Sequence, residues 1–319
     1  MRIAVVGAGA IGGWVASRLA EAGHDVAVLA RGATLEAIRM GGLVLRQEDS
    51  ERATPLNASD NAAELGECEL VVFAVKAPAL AAAATAARPL IGGDTLILPM
   101  LNGVPWWFLA DRGESLSSVD PDGAIASALP LPQVVGCVVH ASCATSAPGV
   151  VQHIAGKGLI FGEPGGNASE RLTGLTELFS DAGFAATASA RIQNDIWYKL
   201  WGNMTMNPLS ALTAATCDRI LDDALVEQFI LRIMAEAKEI GARIGCPIEE
   251  SGRDRISVTR RLGAFKTSML QDVEAGRPIE LDALLGAPRE IGRRVGVETP
   301  NTDALFGLVR LFARGRGLY

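Results

Sequence analysis

Residues 2–31 read RIAVVGAGAIGGWVASRLAEAGHDVAVLAR. An apolar run from Arg2 to Val6 gives way to Gly7-Ala8-Gly9-Ala10-Ile11-Gly12. Apolar residues at helical spacing follow from Ile11 to Ala22, with a stop at Gly23 and a second apolar run from Asp25 to Leu29. GxGxxG is a common spacing, but between a strand and the start of a helix it is a dinucleotide-binding fingerprint. Gly7 permits the tight turn, Gly9 lets backbone approach a pyrophosphate, and Gly12 lets the helix lie close to the sheet. The loop residues Ala8, Ala10 and Ile11 lead into a helix N-terminus whose free N–H groups suit phosphates. A glycine turn without ligand, or a flavin site, fits the same residues less well.

The second strand selects the cofactor. In an NAD site a carboxylate about 20 residues after the glycines takes the ribose 2′-hydroxyl. Here the strand ends in Ala30-Arg31, and the next acid is Glu36. A guanidinium at that point suits a 2′-phosphate by charge and by bidentate geometry, which points to NADP(H). The alternative is a solvated strand-end arginine.

Further apolar runs lie at Leu70 to Val75 and Thr95 to Leu98, with an alanine-rich helix from Pro78 to Ala87 between them. Continuous apolar strands alternating with helices predict a parallel sheet covered on both faces. The β-like pieces from Val134 to Gly162 read as the last strands of that sheet, with antiparallel additions as an open alternative. From Gln193 onward the periodicity is helical: Ala224 to Ile244, Arg255 to Glu274, Glu280 to Val295 and Thr302 to Arg314. The expected organisation is an α/β domain over residues 1–189 and an all-α domain over 190–319.

Composition narrows the function classes. With 319 residues, two domains fit the usual size. Apolar residues at 49% and charged residues at 20% exclude a disordered chain. Lys and Arg number 29 against 36 Asp and Glu, so the net charge of −7 offers no bulk basic field for nucleic acid. The apolar stretches fall far short of the roughly 20 residues that span a bilayer. Met1-Arg2 leads straight into a strand rather than into a signal peptide. Five scattered cysteines without a CxxC argue against a disulfide scaffold or a metal site and for a cytoplasmic location.

Three more features carry chemistry. Lys76 follows the Leu70–Val75 run at a carboxyl strand end, where open α/β sheets bind ligands; it reads as a cofactor contact or a surface lysine. Asn102-Gly103 sits at another such edge and reads equally as a turn pair and as an amide placed for nicotinamide or substrate. In DIWYKLWGNMTMNP, Asp195 to Pro208, a helix puts Lys199, Asn203 and Asn207 within about 80° of one another and Trp197 and Trp201 on the opposite side. A lysine flanked by two amides can meet a carbonyl and donate a proton as hydride arrives at carbon; a lysine laid along an apolar surface with capping asparagines fits as well. Pro208 should bend or end this helix. Ser268 and Glu280 flank a turn at Gly276 and, by themselves, read as a surface serine and a helix-capping acid.

Together GAGAIG, Arg31, FAVKA, Leu101-Asn102-Gly103, WYKLWGNMTMNPLSALT and KTSMLQDVEAGRPIELDAL resemble the ketopantoate reductases (2-dehydropantoate 2-reductases), in matching order along nearly the whole chain. The resemblance implies a Rossmann-type N-terminal domain and a helical C-terminal domain similar to that of 6-phosphogluconate dehydrogenase. It implies NADPH-dependent reduction of 2-dehydropantoate to (R)-pantoate, on the route to pantothenate and coenzyme A. By motif, Lys199 matches the family's general acid and Glu280 the acid that contacts substrate hydroxyl and lysine. Asn203, Asn207 and Ser268 match substrate-binding positions, Asn102 the asparagine near nicotinamide and lysine, and Arg31 and Lys76 cofactor contacts.

Two departures bear on the substrate. Val104-Pro105-Trp106-Trp107-Phe108 replaces a small glycine-containing loop, and Leu285 stands where many members have asparagine. A paralogue acting on another branched 2-oxo acid, or an NADPH sensor without turnover, are the alternative readings. The apolar helices and the Trp106-Trp107 pair suggest a homodimer.

Overall fold

The structure is a computed structural model describing residues 1–48, 50–261 and 263–319. They form two compact units. One comprises Met1–Leu101, Ala110–Gly113 and Gly123–Ile192; the other comprises Asn102–Leu109, Glu114–Asp122 and Gln193–Tyr319.

The strands of the first unit are β1 (Arg2–Val6), β2 (Asp25–Leu29), β3 (Leu43–Gln47), β4 (Ser50–Thr54), β5 (Asn57–Ser59), β6 (Cys68–Phe73), β7 (Ile91–Pro99), β8 (Gly136–Ala147), β9 (Val150–Gly162) and β10 (Ala185–Ala188). One sheet has the order β5-β2-β1-β6-β7 and is parallel throughout, with Val5 level with Val28 on one side and Val72 on the other. Central β1 and β6 show no polar alternation because both of their faces are buried.

The Val134–Gly162 stretch does not extend this sheet. β8 and β9 pair antiparallel within a second sheet of order β10-β9-β3-β4, with β8 on the other edge of β9. The reason is the length of β9. Val150–His153 pairs with β3 and Gly158–Phe161 with β10, so one edge of β9 is shared by two strands and the other is taken by β8. Val134, just before β8, makes an isolated bridge to Ile97. β3, β4 and β5 are short or polar, and hydropathy alone does not reveal them.

Helix α1 (Ala10–Glu21) carries its two small faces against these sheets. A Cβ on Gly12 would lie 2.9 Å from the Ala74 Cβ, and one on Gly13 would lie 2.6 Å from Val151 Cγ2 in β9. Trp14, Val15 and Leu19 join Val5, Val28, Leu43, Val151 and Phe161 in one core. Removing area of this kind from water is worth roughly 1.5–3 kcal/mol per large side chain.

The second unit is helical. Ile192–Thr213 is one helix that runs through Pro208. Proline cannot donate to the Met204 carbonyl, yet Leu209, Ser210 and Ala211 beyond it are buried, and their packing carries the helix past the missing bond. Ala224–Arg243 follows. The single helix expected over Arg255–Glu274 is two, Gly252–Arg260 and Ser268–Glu274. Gly263 adopts a left-handed φ of +62° between them, and the Thr267 side chain caps the second by accepting from the Leu270 N–H at 3.2 Å. The next helix begins at Leu281 rather than Glu280, passes through a π turn at Asp282–Gly286 and continues over Ala287–Arg294. Pro300–Arg314 is the last. No helix among the described residues is long and apolar enough to cross a membrane.

Glu290 fastens the 114–122 segment to this helical unit. Its carboxylate accepts from the Ser117 and Ser118 backbone N–H groups at 3.1 and 2.7 Å, from both serine hydroxyls and from Arg294. Burial alone would raise its pKa, but the serine bonds outweigh burial and hold it below the ordinary 4.5. A carboxyl depressed on folding adds stability that is fully present above the unfolded value and is lost as pH falls through the folded one. Glu290→Gln should therefore cost about 2 kcal/mol at pH 7 in denaturant titrations. The gap to the parent should close as pH is lowered from 4.5 toward the folded value.

Candidate active site

In the first unit the glycine loop is shaped by backbone contacts. Gly7 has φ +95°, and a Cβ there would lie 2.7 Å from Val75 Cγ1. A Cβ on Gly12 would lie 1.9 Å from the Gly7 carbonyl oxygen. Gly9 differs: a Cβ on it would meet nothing within 4 Å. Gly9 is also the N-cap of α1 and offers no side-chain acceptor to the first-turn N–H groups. An uncapped helix start beside open space is what a pyrophosphate requires. Ala8, Ala10 and Ile11 complete the turn.

Arg31 follows β2 by two residues. It is the exposed N-cap of helix α2 (Gly32–Gly41), with no side-chain cap and no acid in the first turn. Lys76 lies three residues beyond the end of β6 and is half-buried. Arg31 and Lys76 thus stand after the carboxyl ends of β2 and β6, the two parallel strands that flank β1. This first unit fits a dinucleotide on its own geometry.

In the second unit the site is built on the Ile192–Thr213 helix. Trp197 Nε1 donates to the Ala237 carbonyl at 3.1 Å, and Trp201 Nε1 donates to the Met234 carbonyl at 2.8 Å. Both indoles are essentially fully buried, and these bonds to the Ala224–Arg243 helix fix the rotation of their own helix. The opposite stripe is thereby fixed as well. Lys199 and Asn203 on it are half-buried and Asn207 is 7% exposed.

Lys199 Nζ donates to Asn102 Oδ1 at 3.0 Å. Asn102 is positioned by the residues after it. Gly103 has φ +80°, and a Cβ there would lie 2.5 Å from the Ala283 carbonyl oxygen. The same carbonyl accepts from the Val104 N–H at 2.9 Å. The π turn that contains Ala283 starts two residues after Glu280, which is 6% exposed and immediately precedes the helix. A carboxylate is favoured at that end. Ser268 is the first residue of its helix and is half-buried. The helix that starts directly after Glu280 therefore also holds the backbone behind Asn102.

The sequence reading missed that link. Ala283 acts through a carbonyl, which no side-chain pattern reveals. Pro288 within a helical pattern is the available signal, since it cannot donate to Leu284, and a π turn just upstream accommodates such a gap. Trp106 and Trp107 are 5% and 3% exposed and Leu285 is 0% exposed. The tryptophan pair is therefore core and not a surface patch, and it lends no support to a dimer.

The comparisons with known proteins agree with this geometry. A sequence model described as ketopantoate reductase PanE/ApbA matches residues 3–166, and one described as ketopantoate reductase PanE/ApbA C terminal matches residues 191–313. The chain is 43% identical to the 2-dehydropantoate 2-reductase of Mesorhizobium japonicum, with 100% of each sequence covered. A crystal structure from Ralstonia solanacearum MolK2, described provisionally as a ketopantoate reductase, superposes with a TM-score of 0.97. It is 56% identical, covering 100% of this chain and 99% of that one. D-mandelate dehydrogenase with NADH and anilino(oxo)acetate superposes with a TM-score of 0.87 over 100% of both chains at 22% identity, a likeness of fold.

Fold and relatives define a nucleotide-dependent oxidoreductase acting on CH–OH groups. More particularly, the chain belongs to the ketopantoate reductase family.

Proposed function

We propose that this chain reduces 2-dehydropantoate to (R)-pantoate with NADPH, on the route to pantothenate and coenzyme A. The observation that carries the chemistry is the Lys199–Asn102 bond, an ammonium held by an amide on the polar stripe of a buried helix. The substrate is inferred from the relative of Mesorhizobium japonicum. Bound on the glycine loop, a nicotinamide dinucleotide supplies the hydride that reduces C2 of the 2-oxo acid. Lys199 donates a proton to the C2 oxygen, becomes a neutral amine and is reprotonated from water. Glu280 accepts from the substrate hydroxyl and holds the lysine. Asn203, Asn207 and Ser268 bind the hydroxyl and carboxylate groups, and Asn102 keeps the ammonium aimed.

NADPH is favoured over NADH by Arg31 at the uncapped start of α2, where guanidinium and helix N–H groups would meet a 2′-phosphate. Arg31→Ala should lower the preference for NADPH over NADH by roughly 10- to 100-fold, the worth of charge-assisted hydrogen bonds. The ratio of kcat/KM values for the two cofactors measures this.

Cofactor oxidation across a panel of 2-oxo acids tests the proposal. Turnover of 2-dehydropantoate far above the rest supports it. Preference for another branched 2-oxo acid makes the chain a paralogue, a reading favoured by Val104-Pro105-Trp106-Trp107. Tight NADPH binding with no turnover would make it a sensor.

A further inference from the structure

Glu280 closes a stretch, residues 277–280, that has neither helix nor strand structure. The backbone just before it and a side chain just after it are both held by two adjacent residues far along the chain. The Ile279 N–H donates to the Leu318 carbonyl at 3.0 Å. The Tyr319 hydroxyl donates to Asp282 Oδ1 at 3.0 Å. Leu318 is 4% exposed, and its own N–H is tied to the Ala313 carbonyl at 2.9 Å, in the last turn of the Pro300–Arg314 helix. The Arg314 guanidinium stands 5.4 Å from the centroid of the Tyr319 ring. On its other side the Asp282 carboxylate is confined by Gly286, where a Cβ would lie 3.0 Å from Asp282 Oδ1.

From this bracketing we infer that Leu318 and Tyr319 are positioning residues for Glu280, fixing the carboxylate by gripping its chain at Ile279 and at Asp282. The inference rests on the proposed role of Glu280. The Glu280 carbonyl accepts from the Leu284 N–H at 3.3 Å, and the ties at Ile279 and Asp282 add a hold on the backbone from outside the helix on either side of it. Burial pushes the Tyr319 phenol above its ordinary range, and the neighbouring Asp282 adds to this, so the hydroxyl stays a donor across the working pH range.

The experiment uses the full chain with NADPH and its best 2-oxo acid. Tyr319→Phe keeps the ring under Arg314 and removes one hydrogen bond. It should lower kcat about 5-fold, the worth of one such bond, with the Kd for NADPH unchanged. Hydrogen exchange should quicken at Ile279 to Asp282. A chain ending at Gly317 loses both grips and should fall further, on the order of 30-fold. In a Glu280→Gln background, Tyr319→Phe should add no further loss, because its effect passes through the carboxylate. Unchanged kcat and exchange in Tyr319→Phe would overturn the inference. So would the same 5-fold loss with and without Glu280, which marks a merely structural contact. If the parent protein reduces no 2-oxo acid, the proposed function fails instead, and hydrogen exchange still decides whether Tyr319 grips this segment.

Discussion

Replacement of Lys199 by alanine is expected to lower kcat by about 1,000-fold, within the range for loss of a positioned general acid. The fold should survive. Alanine is the better helix former, and the helix is held from its other side by the Trp197 and Trp201 bonds. Lys199→Arg separates charge from proton donation. The guanidinium keeps a cation near Asn102 but does not give up its proton at working pH, so activity should stay low. NADPH affinity should be unaltered in both variants, because the glycine loop belongs to the other unit. Turnover near that of the parent in Lys199→Ala would reject the assigned role.

Gly12→Ala should abolish useful cofactor binding and destabilise the first unit together. The new Cβ would stand 1.9 Å from a backbone carbonyl oxygen and 2.9 Å from the Ala74 Cβ, and neither neighbour is the loose end of a flexible side chain. Helix α1 must move outward or the Gly7 turn must open. Overpacking of this kind costs about 1–3 kcal/mol, and a loop displaced from its N–H groups should lose at least about 30-fold in NADPH affinity. Gly9→Ala is the contrast. Its Cβ has open space and its φ of −76° suits alanine, so the Tm should hold while affinity drops. Equal thermal stability of the Gly12 and Gly9 variants would refute this account of the turn.

These two predictions lie where the sequence was most legible. The strand, glycine turn and helix of residues 2–31 announce themselves because periodicity and glycine spacing act within one short stretch. Lys199, Asn203 and Asn207 are legible for the same reason, sharing one helix face. The second sheet was not, because β9 recruits β3 from a hundred residues away, and the polar SERAT of β4 has no apolar signal. Pro208 misled because local chemistry predicts a break that buried neighbours override. Ser268 and Glu280 looked ordinary by themselves, and only the family resemblance lifted them. The backbone tie from Ala283 to Val104 lies outside anything a side-chain pattern can encode.

The tryptophan bonds also give the molecule a built-in optical probe. Of its five tryptophans, Trp14 alone lies in the first unit, while Trp106, Trp107, Trp197 and Trp201 lie in the second. All are at most 5% exposed. Emission from the native protein should therefore be blue-shifted and resistant to aqueous quenchers, and its red shift on unfolding should report mainly the opening of the helical unit. Trp14, stacked 5.2 Å from His153, supplies a fainter signal from the unit that carries the glycine loop.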